Sequence, residues 1–236
     1  MLALIPSWVE PVARYMFEGL KLTIQISAVS VVGSAVIGIL LGTLLTIRFL
    51  PLQGLIRLYI EVWRGLPIIV TIFLVFFALP VLHIRLEAWK AAAVALILWG
   101  SAQLAEATRG AVQSIPKEQH DAASALGFGW VGRHAFVILP QAVRRLLPPG
   151  VSLLVNVIQN TTLAALIGVN EVLFTAQNST ERLQAPPPAG VNDSHSVAIF
   201  GAVLVLFFVI SFPLTRLSAY LERRLGSGDR RMQTAA

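Results

Sequence analysis

The side chains best suited to chemistry in this chain are amides and hydroxyls set into an apolar run. Ser152, Asn156 and Asn160 recur at i, i+4 and i+8, so a helix carries them on one face, with Gln159, Thr161 and Thr162 beside them. Polar groups in an apolar helix turn toward a cavity or another helix because exposure to lipid is costly. The stripe therefore reads either as contact with a small polar solute or as hydrogen bonding between helices. Glu106 with Arg109, and Glu61 with Arg64, share an i, i+3 spacing that suits an ion pair along a helix. Glu106 is also a candidate for a polar path through the chain. Glu61 and Arg64 stand just before Pro67, where they are expected to brace a kink or a gate. Four scattered histidines give no metal cluster, and zero cysteines exclude disulfides and thiol chemistry. No Gly-x-x-x-x-Gly-Lys-Ser/Thr phosphate loop is present, so the chain is not expected to hydrolyse nucleotide or to act as an enzyme.

The elements that must position these groups follow from composition. Of 236 residues, 56% are hydrophobic and only 13% charged, with a mean hydropathy of +0.75. A soluble domain carries roughly 25% charged residues. The chain belongs in a lipid bilayer as an all-α membrane protein, a single domain over residues 1–236. A spanning helix needs about 20 apolar residues, which places five spans at 20–47, 65–82, 88–107, 148–170 and 196–215. No cleavable leader is expected, because Glu10, Glu18 and two prolines fall in the first twenty residues. The net charge of +6 is assigned to orientation and not to a nucleic-acid partner. With five spans, 13 Lys and Arg residues share one side and 5 the other. The richer side is cytoplasmic by that rule, leaving the amino terminus outside and the carboxyl terminus inside. The cytoplasm then holds a loop at 110–145 and a tail at 216–236; a Pro-rich loop at 172–195 containing "APPPAG" faces outward as a connector or a partner's docking point. In the first span Gly33, Gly38 and Gly42 with Ser34 either admit a closely packed helix or reflect the tolerance of membrane helices for glycine.

The cytoplasmic loop contains "PKEQHDAASALGFGWVGRHAFVILP", residues 116–140. Pro116 suits a first helical position, residues 117–126 contain no helix breaker, and Gly127 is placed to end the helix in a left-handed cap. Gln119, Ala122, Ala123 and Leu126 fall on one face lined with small side chains. A second helix at 130–139 is expected to stop at Pro140. The pair reads as a docking knob or as an amphipathic connector on the membrane surface.

The order "DAA", three residues, Gly127, then ten residues to "ILP" resembles the EAA loop of permease subunits from ATP-binding-cassette (ABC) importers, with Asp121 where Glu is usual. "EVWRGLPIIV", "QNTTLAALIGV", "VILPQAVRRLLPP" and "GLKLTIQIS" are similar to segments of the polar amino acid branch of that family, and the likeness runs through residues 19–224. It implies a five-helix type I core like that of the methionine importer's permease, in the bacterial inner membrane. It also implies a second permease subunit, identical or paralogous, two ATP-binding subunits that hold ATP and Mg, and an extracytoplasmic solute-binding protein. Carried onto this chain, Asp121, Ala122, Ala123 and Gly127, with Gln119 and Leu126 beside them, form the coupling contact to an ATP-binding subunit. Asn156, Gln159, Asn160, Thr161 and Thr162 occupy the segment that lines the family's translocation path. There Gln159 and Asn160 replace the usual Lys and frequent Asp, which favours a neutral or acidic amino acid over a cationic one. The rival readings are a stand-alone secondary transporter or channel for small polar solutes, and a non-transporting membrane scaffold.

Overall fold

The computed structural model describes residues 6–47, 49–183 and 195–233, with side chains placed through residue 225. The "APPPAG" segment lies outside the described residues. Among those described there is no β-strand: the chain runs α1 (Val9–Leu44), α2 (Leu50–Gly65), α3 (Ile68–Ala78) with a 3-10 turn (Leu79–Leu82), α4 (Ala88–Gln113), α5 (Lys117–Ala125), α6 (Trp130–Gly132), a π-turn (Arg133–Ile138), α7 (Leu139–Asn160), a second 3-10 turn (Thr161–Ile167), α8 (Val172–Leu183) and α9 (Ser196–Gln233). Among the described residues four helical stretches are long and apolar enough to cross a membrane, Val9–Leu44, Ala88–Gln113, Trp130–Ile167 and Ser196–Leu225; a fifth is counted if α2 and the α3 segment, bent by 106°, form one span.

Several elements differ from the sequence reading. The first helix starts at Val9, and its 36 residues extend about 54 Å at 1.5 Å per residue. The 65–82 segment is preceded by a separate amphipathic helix, α2, that turns sharply where Leu66 and Pro67 leave helical geometry. The 130–139 helix does not stop at Pro140. The π-turn just upstream widens the helix, accommodating the proline ring and its missing N–H, and α7 continues through Pro148 and Pro149 to Asn160. Half of the expected outer loop is helix α8, whose Val172, Thr175, Ala176, Ser179 and Thr180 are buried. The tail continues the last helix to Gln233 instead of leaving it near residue 215.

The chain divides into two compact units whose boundaries fall inside α1, α4, α7 and α9 and at the bend between α2 and α3. The first comprises residues 1–30, 68–96 and 156–212. Its apolar centre joins Ala176 of α8 to Ile199 and Val203 of α9, covered by Trp8, Val12 and Met16 of the α1 region. Gly19 permits the start of α8 to approach α1: a Cβ there would sit 2.9 Å from the Glu171 carbonyl. Thr23 Oγ1 accepts the Val172 N–H at 3.2 Å at the same junction. The fully buried Glu171 caps α8, its carboxylate accepting the N–H groups of Leu173 at 3.0 Å and Phe174 at 2.8 Å.

Burial pushes the Glu171 carboxyl up to about 7, against the two N–H donors that favour its charged form. Raised above its ordinary value, the group holds a proton more tightly in the folded state. Its contribution to stability is complete below pH 4.5 and is lost as pH rises through about 7. The expected result is a lower thermal midpoint in detergent at pH 8 than at pH 5.5, from an effect of about 2 kcal/mol, the part lost between pH 5.5 and about 7. Glu171→Gln should flatten that dependence.

The second unit comprises residues 31–67, 97–155 and 213–236. Here the α1 glycines meet α4. A Cβ on Gly33 would touch the Ile97 side chain at 2.7 Å, one on Gly38 would lie 2.9 Å from the Ser101 carbonyl, and one on Gly42 would strike the Ala105 carbonyl and Thr108. The stripe thus packs a helix of the same chain. Leu45, Ile56, Ile60 and Ala105 form one apolar cluster; Ala111, Val112, Ile115, Ile138, Ala142 and Leu146 form another that ties α4 to the π-turn and α7.

Candidate functional site

Helix α5 begins at Lys117, so Pro116 is its N-cap residue (φ −55°, ψ 143°) and not its first helical one. At the other end the Phe128 N–H donates to the Ala123 carbonyl at 3.1 Å and the Gly127 N–H to the Ser124 carbonyl at 3.0 Å. This Schellman closure demands a left-handed residue, and Gly127 supplies it at φ 85°. The small-residue face is split by packing. Ala123 is 2% exposed and turned into its own chain, so it is withdrawn from the dockable surface, where the sequence periodicity had placed it. Asp121, Ala122, Leu126 and Gly127 are exposed, Leu126 at 78%. Gln119 is also exposed, but its side-chain oxygen accepts from Gln141 Nε2 at 3.2 Å, tying α5 to α7.

Further contacts hold the loop on its base. Arg145 Nη1 donates to the Ser114 carbonyl and hydroxyl, both at 2.6 Å, fixing the end of α4 to α7. Arg133 Nη1 donates to Ser124 Oγ at 2.8 Å. His134 is buried, stacks on Trp130 at 4.2 Å, donates from Nδ1 to the Trp130 carbonyl at 2.9 Å and sets Nε2 3.1 Å from Thr46 Oγ1 on the first helix's exit. Burial and the Arg133 charge lower the pKa of His120 below the usual histidine range, against the opposing pull of Asp121. The result is a rigidly footed helix tip with an apolar side chain at its end. Arg145 and His134 were not singled out in the sequence, because their partners lie 31 and 88 residues away.

The polar stripe separates into two kinds of residue. Ser152 Oγ lies 3.0 Å from Ser218 Oγ, and Ser218 donates to the Pro148 carbonyl at 2.9 Å, so this end packs α7 on α9. Thr161 is buried and returns its hydroxyl to the Ile158 carbonyl at 2.7 Å; Thr162 does the same to Gln159 at 2.7 Å. Both hydroxyls are spent on the helix end. Asn156 and Gln159 are exposed and Asn160 half-buried, and their side-chain amides make no hydrogen bond among the described residues. These three are the groups free to meet a solute or a second subunit.

The ionisable pairs also diverge. Glu106 accepts from Arg109 through Nε at 3.1 Å and Nη2 at 2.5 Å, and Arg109 Nη1 donates to Gln113 at 2.6 Å. Glu61 and Arg64 do not pair; Arg64 Nε donates instead to Gln103 at 3.1 Å. All four charges line one cavity of about 340 Å³ in the second unit, floored by Ile60 and joined by Arg57. Arg57 was legible only as one of many arginines, although Arg57, Glu61 and Arg64 at i, i+4 and i+7 share a face of α2.

Residues 34–227 match the family described as "Binding-protein-dependent transport system inner membrane component". The chain is 34% identical over 217 residues to the glutamine transport system permease protein GlnP of Escherichia coli (strain K12), covering 91% of this chain and 94% of that one. It is 31% identical over 210 residues to the probable glutamine ABC transporter permease protein GlnP of Bacillus subtilis (strain 168), covering 89% and 93%. The fold matches a solved structure described as a crystal structure of an amino acid ABC transporter with histidines, with a TM-score of 0.75 at 22% identity over 94% of this chain and 100% of that one. With apolar helices of spanning length and a family match across most of its residues, this chain belongs to the inner-membrane permease components of binding-protein-dependent ABC transporters.

Proposed function

We propose that this permease takes up a polar, uncharged amino acid such as glutamine, delivered from outside by a solute-binding protein. Two ATP-binding subunits, holding ATP and Mg²⁺, supply the energy through the 116–140 loop. The observation that carries this reading is the free amide cluster of Asn156, Gln159 and Asn160, which makes no hydrogen bond among the described residues in a chain otherwise built for lipid. Unsatisfied amides facing lipid are costly, so the cluster is matched to a hydrogen-bonding solute. An amide is complementary to another amide or to a zwitterion, and the cluster holds no carboxylate to balance a cationic side chain. The glutamine permeases among its relatives agree with that chemistry.

The arginine-rich side of the membrane, which includes the loop and the carboxyl terminus, is the cytoplasmic one by the positive-inside rule. A second permease chain completes the path. ATP binding and release on the partner subunits shift the population between inward- and outward-open states, and the loop carries that bias.

The test is uptake into proteoliposomes holding the permease, its ATP-binding subunit and its solute-binding protein. Glutamine uptake should require all three and internal ATP. Asn160→Leu should reduce it at least about tenfold, the loss of one or two desolvated hydrogen bonds, with the complex intact on gel filtration. Uptake by the permease alone down an ion gradient would instead identify a stand-alone transporter.

A further inference from the structure

The charged cavity between α2 and α4 is not explained by ion pairing within the chain. Its rim carries three guanidinium groups, Arg57, Arg64 and Arg109, against two carboxylates, Glu61 and Glu106. Arg109 and Glu106 neutralise each other in a bidentate pair. Arg64 is oriented by the neutral Gln103 amide and makes no ion pair among the described residues, although its charge, like that of Arg57, also reaches Glu106. Arg57 and Glu61 are exposed, one helical turn apart, and neither lies within ion-pair distance of an opposite charge among the described residues. The cavity therefore offers two positive groups and one negative group that stand outside any ion pair among the described residues, in a volume of about 340 Å³. That volume falls at the lower end of small-molecule sites, roughly 300–1,000 Å³.

We infer that this cavity is a second amino-acid site, on the cytoplasmic side, that holds the α-carboxylate through Arg57 and Arg64 and the α-ammonium through Glu61. The inference rests on the reading that the chain carries amino acids. Guanidinium groups suit a carboxylate because their N–H donors match its two oxygens, and a free carboxylate suits an ammonium with three N–H donors. A simple anion would meet the arginines but also the Glu61 charge, and a simple cation the reverse. A zwitterion satisfies all three groups. The net surplus of one positive charge disfavours a cationic side chain, in agreement with the amide cluster on α7.

Three transporters are compared in nanodiscs, each with its ATP-binding subunits and without the solute-binding protein: Asn160→Leu alone, Asn160→Leu with Arg57→Gln, and Asn160→Leu with Glu61→Gln. The probe is radiolabelled L-glutamine. The Asn160→Leu complex should retain weak binding, competed by L-glutamine but not by N-acetyl-L-glutamine, which lacks the ammonium. Each double variant should bind at least about tenfold more weakly. No binding to Asn160→Leu, or equal binding to all three, overturns the site. So does dissociation of the two permease chains in the Arg57 and Glu61 variants, which would assign these charges to the subunit contact. Glutamine uptake by the unmodified transporter is measured in parallel, so that a failure of the transport reading is seen separately from a failure of this cavity.

Discussion

Gly127→Val is expected to reduce ATP-driven uptake by roughly 5- to 30-fold while leaving insertion into the membrane intact. The cause is backbone geometry and not crowding. Gly127 sits at φ 85°, and nothing lies within 4 Å of the position a Cβ would take. A side chain in the left-handed region costs about 1–2 kcal/mol, and a β-branched one more, which corresponds to that fold-change. The cost is relieved by opening the Schellman closure, and opening it releases Phe128 from Ala123 and reorients the exposed Leu126 tip. Gly127→Asn should be milder, since Asn tolerates this conformation. Gly129→Ala should be close to neutral, because Gly129 has an ordinary extended backbone (φ −67°, ψ 179°) and open space around it. The measurement is uptake and ATP hydrolysis in the same proteoliposomes. Normal uptake by Gly127→Val would remove the tip from the coupling path.

The second large effect concerns folding. Gly42→Ala should destabilise the protein by about 2–3 kcal/mol, at the upper end of overpacking costs, whereas Gly33→Ala should cost much less. Both glycines face α4, but they face different atoms. The new methyl at 42 meets the Ala105 carbonyl and the Thr108 Cβ at 2.5 Å, groups that cannot move unless the helix moves. The buried Thr108 hydroxyl is already committed to the Leu104 carbonyl at 2.7 Å. At 33 the nearest atoms are Cδ1 and Cγ1 of the Ile97 side chain, 2.7 and 2.8 Å away, and a side chain yields more readily than a backbone carbonyl. Thermal unfolding of purified protein in detergent, followed by the monodisperse fraction, distinguishes the two. Equal losses at both positions would contradict this helix contact.

These two cases show what was legible in the sequence. The spacing of Gly33, Gly38 and Gly42 announced close packing, but periodicity cannot say whether the approaching helix belongs to the same chain; the answer depends on α4, some sixty residues later. Gly127 was legible as a cap because the signal is local: a breaker-free run ending in glycine. The docking face was read less well. Helical spacing groups Ala122 and Ala123 together, yet packing within the chain buries Ala123 and leaves Ala122 exposed.

Pro140 misled for a related reason. A proline ends a regular α-helix, but the π-turn at Arg133–Ile138 absorbs it, and no composition rule marks that turn. Likewise Glu61 and Arg64 carry the spacing of an ion pair, and only the arrangement of α2 beside Gln103 and Glu106 shows that they serve a shared cavity. Family, membrane class and the amide stripe were readable because many local signals agreed. The division of the stripe into committed hydroxyls and free amides was not: Ser152 is tied to α9 across 66 residues, and the Thr161 and Thr162 hydroxyls fold back on carbonyls three residues earlier, a choice that spacing alone does not announce.

We propose that an ATP-binding subunit docks on the α5 tip, and the absence of any cysteine in the chain allows a direct test. Leu126→Cys, exposed at the tip, becomes the single thiol of the permease. With a short thiol-reactive photocrosslinker on that residue, the assembled transporter should give one adduct of permease with ATP-binding subunit, and the same label on Val32→Cys, on the exposed face of α1, should not. A complex that still takes up amino acid but yields no such adduct from Leu126→Cys would contradict the assignment.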